Sequence, residues 1–503
     1  MRLLWRSLLV AFYLFLLIGV SGKLFFEKQF DAFIGGLIPT GQGEIAHLTI
    51  GYAEPLVSLS PLANDVGSRS RLLHLYEPLL RQTPDLALEP ALALSYGALN
   101  PTTWELRLRP DVFFHDGSPL TVEEVVGSIK AAQTDPSSGL SDLLSSLSDV
   151  RATDEETLIL TTTEADPLLP HKLSSVLIFH TTSAGATEGT GPYLLTANSS
   201  DRLELKRFDD YWDRPPAVVS ATLKTLSTKV SKEQALGEAS VDILANIPAD
   251  LASEFAVPGY TLKTRPSLEV NALIFNVSGA FSQPELREVV RRGVDVQTLS
   301  RLGHGFAEVA SQFVGDGVYG YNPALKAPGY NASLAQSVLE GAELPEQPII
   351  LDLPRGLETL GTVVQKQLAA VGLAVEPRYN TSAELGSRIL AGTSDFYFFG
   401  WRSDLGDAAD FLTAVAHSKE GSLGQFNGGG YSNPQVDALI EASQSTLNQA
   451  ERLDILRHAM ELITETDPLG LPLFSPEVLY ALRDGINWNP RVDGVVLAQE
   501  VRF

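Results

Sequence analysis

From Ile45 onward the sequence alternates short apolar, strand-like runs with segments whose apolar residues recur at helical spacing, and this alternation dictates an α/β architecture. The helix starts carry their own chemistry. Thr121-Val-Glu-Glu124 reads as a capping box ahead of Val125, Val126 and Ile129, and Ser231-Lys-Glu-Gln234 and Ser282-Gln-Pro-Glu285 read the same way. Leu360, Val364, Leu368 and Val371 share one helical face, Gly372 is the stop, and Leu373-Ala-Val-Glu-Pro377 is the expected strand beyond it. Phe396-Tyr-Phe-Phe399 is a continuous apolar run, as in a strand buried on both faces. Asn433-Pro434 supplies a cap and a first-turn proline for a helix bearing Val436, Leu439, Ile440 and Ser443. A second helix places Leu453, Leu456, Met460 and Ile463 on one stripe and ends before Pro468.

A chain of 503 residues is too long for one hydrophobic core, so two or more lobes are expected. No internal repeat or low-complexity tract points to a solenoid or a disordered scaffold. Lys and Arg number 37 against 61 Asp and Glu, a formal charge of −24 that repels phosphate backbones and argues against nucleic acid as a partner.

Cysteine is absent, which excludes disulfides, thiolate metal sites and a lipidated N-terminal cysteine. Arg2 and Arg6 precede the apolar run Ser7 to Val20, the arrangement of an export signal, so the body is expected outside the cytoplasm. Gly19 and Ser21 offer small residues for cleavage. The apolar stretch nevertheless continues from Leu8 to Phe26, close to the ~20 residues a membrane helix needs, and retention as an anchor is the expectation. Phe33 to Gly43, rich in glycine, reads as a tether.

Signatures of catalysis do not assemble. The eight histidines lack HExxH spacing, and neither a GxSxG elbow nor a Walker sequence occurs. Gly41-Gln-Gly43-Glu-Ile-Ala46 matches a loose dinucleotide pattern but lacks the preceding strand. Adjacent His115 and Asp116 cannot form a relay, and Asp116-Gly117 is better explained as a turn between Phe113 and Leu120. Gly189-Thr-Gly191 is expected to serve backbone geometry, because Pro192 removes a donor that an anion cradle needs. Neither an enzyme activity nor a cofactor is expected.

One set of segments is more specific. Leu75-Tyr-Glu-Pro-Leu-Leu80, Trp104-Glu-Leu-Arg-Leu-Arg109, Val112-Phe-Phe-His-Asp-Gly-Ser-Pro-Leu-Thr121, Gly189-Thr-Gly-Pro-Tyr193, Arg207-Phe-Asp-Asp-Tyr-Trp212, Gly400-Trp401 and Tyr431-Ser-Asn-Pro434 occur in the order found in family 5 extracellular solute-binding proteins. The chain resembles that family, the oligopeptide- and dipeptide-binding components of ABC importers, from about Leu48 to the C-terminus. The resemblance implies a two-lobed periplasmic-binding-protein-like α/β fold of type II, large class, with an extra subdomain in lobe one. Residues 1–43 would then be signal or anchor and tether, 44–268 lobe one with an insertion at about 76–190, 269–475 lobe two, and 476–503 a return to lobe one.

It further implies a monomeric protein that holds a small peptide between its lobes and delivers it to a membrane permease with a separate ATPase. Other relatives of this fold take nickel chelates, haem or oligosaccharides, and the alternatives to peptide import are a binder of such a solute, a peptide receptor or chaperone not coupled to transport, and a secreted hydrolase. Most of the shared segments would be fold determinants, with Phe114 and Trp212 packing cores. The exception is Gly400-Trp-Arg-Ser-Asp-Leu-Gly-Asp407, where the resemblance places a ligand's α-ammonium on Asp404, with Gly400, Trp401, Arg402 and Ser403 beside it. An ammonium in a poorly hydrated cleft needs such a carboxylate, and backbone near Trp401 would pair with a peptide as an added strand. Ala408 stands where relatives commonly have proline, so a differently shaped loop is expected there.

Overall fold

The computed structural model describes residues 44–502; the apolar segment Leu8 to Phe26 and the tether Phe33 to Gly43 lie outside the described residues. Among the described residues no helix is long and apolar enough to cross a membrane. The elements used below begin with β1 (Leu48–Tyr52) and α1 (Val66–Leu72), which Asp65 caps by accepting from the Ser68 amide at 2.8 Å.

A separate antiparallel sheet follows, made of β2 (Ala93–Asn100), β3 (Thr103–Leu108), β4 (Leu147–Ala152) and β5 (Thr157–Thr162) in the order β2–β3–β5–β4. Alternation along β3 turns Trp104, Leu106 and Leu108 inward, where they meet Val125 and Ile129 of α2 (Val122–Thr134) and the fully buried Phe114. The next strands are β6 (Tyr193–Asn198), β7 (Arg202–Arg207), β8 (Ser220–Thr225), β9 (Ile243–Ile247) and β10 (Tyr260–Pro266), with α3 (Lys229–Gly237) between β8 and β9. Two residues, Ser267 and Leu268, then lead into β11 (Glu269–Phe275). The second lobe adds α4 (Pro284–Gly293), β12 (Ile349–Pro354), α5 (Glu358–Ala370), β13 (Val375–Asn380), β14 (Phe396–Arg402), α6 (Pro434–Ser445), α7 (Gln449–Glu461) and β15 (Gly470–Arg483).

The long strand β15 belongs to both lobes. Gly470 to Phe474 pairs antiparallel with β11, whereas Glu477 to Arg483 pairs with β10 and, at Leu479, Ala481 and Leu482, with β9. Lobe one therefore has the order β6–β7–β8–β1–β9–β15 and lobe two the order β15–β11–β14–β12–β13. The β10–β11 joint and the middle of β15 carry the sheet across, and the Ser267 amide donates to Pro476 O at 2.9 Å where they lie side by side. Past β15 the chain packs Trp488, Val496 and Ala498 into the core under β1 and β8.

Local expectations met different fates. Gly372, at φ 98, follows the α5 helix, and Asn433 caps α6 by accepting from the amides of Gln435 and Val436. Gly117, at φ 85, completes the turn after Asp116, whose carboxylate accepts from Ser118. Four details are corrected. Thr121 caps α2 through the Glu124 amide, but the reciprocal half of a box is absent. The box of α3 is formed by Thr228 and Ser231, not by Ser231 and Gln234, because the helix starts one turn earlier. At α4 the cap position is Gln283, without a side-chain bond, and Pro284 alone sets the first turn. In β14 only Phe396 and Tyr397 are fully buried; Phe398 and Phe399 are half-buried and the strand runs on to Arg402.

Gly189 and Gly191 do serve backbone geometry: a Cβ at either would fall 2.0 Å or 2.7 Å from Leu75 O. Trp212 packs only partly buried against the core of the small sheet, with the Arg109 guanidinium 4.3 Å from its ring centroid.

Candidate ligand-binding cleft

A cavity of about 490 Å³ opens where the lobes face each other. Lobe one contributes Arg69 from α1 and Glu77 and Arg81 from the segment after it; lobe two contributes Arg402, Asp404 and Leu405 from the end of β14; the C-terminal tail adds Arg491 and Asp493. The cleft is thus built from residues remote in sequence.

Of the five residues expected at the site, Arg402 and Asp404 line this cavity, while Gly400, Trp401 and Ser403 do not. Asp404 Oδ1 accepts from Arg402 Nε at 2.6 Å, and the Asp404 side chain is 68% exposed. Arg402 in turn donates to Asp493 O at 2.6 Å, which ties the end of β14 to the tail. Ser403 points inward, fully buried, and its amide donates to Leu268 O at the joint between lobes. Trp401 sits in an aromatic group with Phe399, Phe411 and Phe426, and its Nε1 donates to Asp410 Oδ1 at 3.3 Å. Burial pushes the Asp410 carboxyl up to about 8, and the neighbouring Asp407 adds to the rise.

The backbone near Trp401 has a distinctive pairing. Along its whole length β14 pairs with β11, from Phe396 opposite Phe275 to Arg402 opposite Glu269. On its other edge β12 pairs only with Phe396 and Tyr397. Phe398 to Arg402 consequently keep one strand edge without a strand partner among the described residues.

Asp407 closes the loop beyond. It is fully buried, accepts from the Ala409 amide at 2.9 Å and receives Arg452 through both terminal nitrogens, at 2.5 Å and 3.1 Å. Ala408 donates its amide to Tyr319 O at 2.7 Å, a bond that proline could not make, so the departure from the common pattern has a local use.

Sequence reasoning missed Arg69, which no motif or periodicity singles out. Its guanidinium donates to the carbonyls of Ser175 and Ser174 at 2.8 Å and 2.7 Å, and it has no ion pair among the described residues. Burial lowers it to about 10, opposed by the Asp493 and Asp404 carboxylates. Glu77 is the other surprise. Buried, it accepts from Tyr211 Oη at 2.6 Å and from Trp212 Nε1 and Thr190 Oγ1, both at 2.9 Å, and burial raises its carboxyl to about 7. Both Leu75–Leu80 and Arg207–Trp212 belong to the segments expected to be fold determinants; only their meeting in space joins Glu77 to Tyr211. The remaining cleft carboxylates are paired: Glu89 and Asp213 with Arg81, and Asp493 and Glu500 with Arg491.

Residues 87–422 match the model of bacterial extracellular solute-binding proteins, family 5 Middle. The chain belongs to that family. As a family 5 protein it is an extracytoplasmic, non-catalytic solute-binding protein of the kind that serves ABC transporters. Its relatives include the glutathione-binding protein GsiB of Salmonella typhi, 24% identical over 86% of this chain and 90% of that one. The fold is that of a nickel ABC transporter protein from Bacillus halodurans, with a TM-score of 0.80 at 22% identity over 91% of this chain and all of the other. It is also that of the Helicobacter pylori periplasmic binding protein DppA in complex with the peptide STSA, with a TM-score of 0.68 at 19% identity over 92% and 98% of the two chains.

Proposed function

We propose that this family 5 protein captures a short peptide in the cleft and presents it to a membrane permease driven by a separate ATPase. The observation that carries the reading is the half-paired strand β14, whose open edge begins at Phe398 and reaches the cavity lining at its last residue, Arg402. An extended peptide added to that edge gains main-chain hydrogen bonds whatever its side chains. Charges of both signs stand nearby: the exposed Asp404 carboxylate suits an α-ammonium, and Arg69, lacking a carboxylate partner among the described residues, suits an α-carboxylate. Glutathione, named for the relative, and the STSA peptide, named for the structural neighbour, are ligands of this chemical class.

Native mass spectrometry of the protein incubated with a defined peptide mixture tests this. Peptides bound and recovered intact are the expected result; a nickel chelate retained in place of any peptide, or cleaved peptides, would reject it. The N-terminal segment from Leu8 to Phe26 is read as an uncleaved anchor, for which intact mass of the membrane-extracted protein is the measurement, with a product starting near Gly22 or Lys23 counting against it.

A further inference from the structure

The cavity's charge balance differs from that of the whole molecule. The chain carries 61 acidic against 37 basic residues, yet the cavity is lined by six arginines and six carboxylates. Those charges are unevenly matched. Arg81, Arg402 and Arg491 hold all the carboxylates that are ion-paired, and the sixth, Glu77, is satisfied by three uncharged donors. The other three arginines meet no carboxylate within ion-pair distance among the described residues: Arg69 and Arg502 donate only to backbone carbonyls, and Arg214 is exposed with no ion pair. A carbonyl orients a guanidinium without neutralising it, and Asp493 and Asp404 act on Arg69 only from beyond ion-pair distance, so each of these sites gains from a ligand anion in direct contact.

We propose that the ligand is a net-anionic short peptide, whose acidic side chains as well as its α-carboxylate are received by Arg69, Arg214 and Arg502. The inference rests on the peptide reading above and adds the sign of the cargo. One α-carboxylate can engage one of the three arginines, and the others are then matched only if the peptide brings further carboxylates. Cationic side chains find no matching surplus: apart from Asp404, which the peptide reading gives to the α-ammonium, the cavity carboxylates among the described residues are held by Arg81 or Arg491 or, for Glu77, enclosed by Tyr211, Trp212 and Thr190. The strongly acidic exterior has a kinetic consequence as well. It repels such a ligand at long range, so association should quicken as salt rises even though the bound complex is held by ion pairs.

Titration calorimetry of the full chain with trialanine, triglutamate, trilysine and tricarballylate tests the proposal. Triglutamate should bind at least about tenfold more tightly than trialanine, and trilysine should bind weakest of the three peptides. The variants Arg214→Gln and Arg502→Gln should each reduce the triglutamate-to-trialanine affinity ratio several-fold, a ratio that a general loss of folding would not move. Trialanine or trilysine binding as tightly as triglutamate would overturn the anionic preference and leave the peptide reading intact. Tricarballylate has the carboxylates without a peptide backbone; if it matches triglutamate, charge alone is recognised and the peptide reading fails. Failure of all three peptides to bind would overturn both.

Discussion

Leu86 and Gly406, one from each lobe, are in contact through left-handed backbone: φ is 67 at Leu86 and 68 at Gly406, and a Cβ at Gly406 would lie 3.1 Å from that of Leu86. Leu86 is buried among core residues of the other lobe, including Ala408 and Phe411. Since leucine rarely adopts this conformation, its burial must outweigh the backbone cost. Gly406→Ala is expected to destabilise by about 1–3 kcal/mol and Leu86→Ala by about 2–5 kcal/mol. Urea unfolding of the double variant should show less than the sum, since the two residues share one contact; strict additivity would show that they act separately.

If the Asp404 carboxylate receives the peptide ammonium once the cleft excludes water, Asp404→Asn should weaken binding by about 2–5 kcal/mol. N-terminal acetylation of the peptide should cost the wild type much and the variant little, because the two changes remove opposite ends of one interaction. Arg402 competes for Asp404 at 2.6 Å, so Arg402→Ala is expected to alter affinity less than Asp404→Asn does. Equal binding of free and acetylated peptide by the wild type would leave Asp404 as a partner of Arg402 only.

Stability should depend on pH through Asp410. Its carboxyl titrates at about 8 in the folded chain against 3.8 for the free group, with Asp407 and Asp404 as its charged neighbours and the Trp401 indole and Phe411 amide as donors. The folded state therefore holds this proton more tightly than the unfolded state. Its contribution to stability is fully present below about 3.8, declines as pH rises from there to about 8, and stays lost above. Asp410→Asn keeps an acceptor for Trp401 but cannot ionise. Its stability relative to wild type should rise from pH 5 to pH 9 in urea titrations, and a constant difference would refute the assignment.

Gly189 offers a steric test. An alanine Cβ there would sit 2.0 Å from Leu75 O, a backbone atom that cannot rotate away, so Gly189→Ala should destabilise by about 3 kcal/mol or more. Gly117 has positive φ but open space around its would-be Cβ, so Gly117→Ala should cost only about 1 kcal/mol. Thermal denaturation of both variants ranks the two causes, and a larger loss at Gly117 would reverse the ranking.

The joint at Ser267–Leu268 and the middle of β15 are proposed as the hinge on which the lobes close. Small-angle scattering should then show a smaller radius of gyration upon saturation with peptide. An unchanged radius at saturation would count against closure about this joint.

What the amino-acid order could reveal by itself follows from the range of the interactions involved. Alternating strand and helix periods, Gly372 as a stop and Asn433-Pro434 as a start rest on contacts within a few residues, and each is legible in the sequence. The same locality explains the misplaced boxes at α3 and α4, where several Ser, Thr and Gln residues compete for one helix start. Family membership is legible too, because many short segments recur in order. The cleft is not. Arg69, Arg402 and Asp493 meet only because β15 returns to lobe one and carries the tail with it, and a pairing over such separations leaves no periodic trace in the chain. Which charges remain unmatched is likewise a property of the assembled cavity, for an arginine in sequence looks the same whether it faces a carboxylate or a carbonyl. Short-range physics thus set the elements, and long-range packing alone decided where the ligand's partners stand.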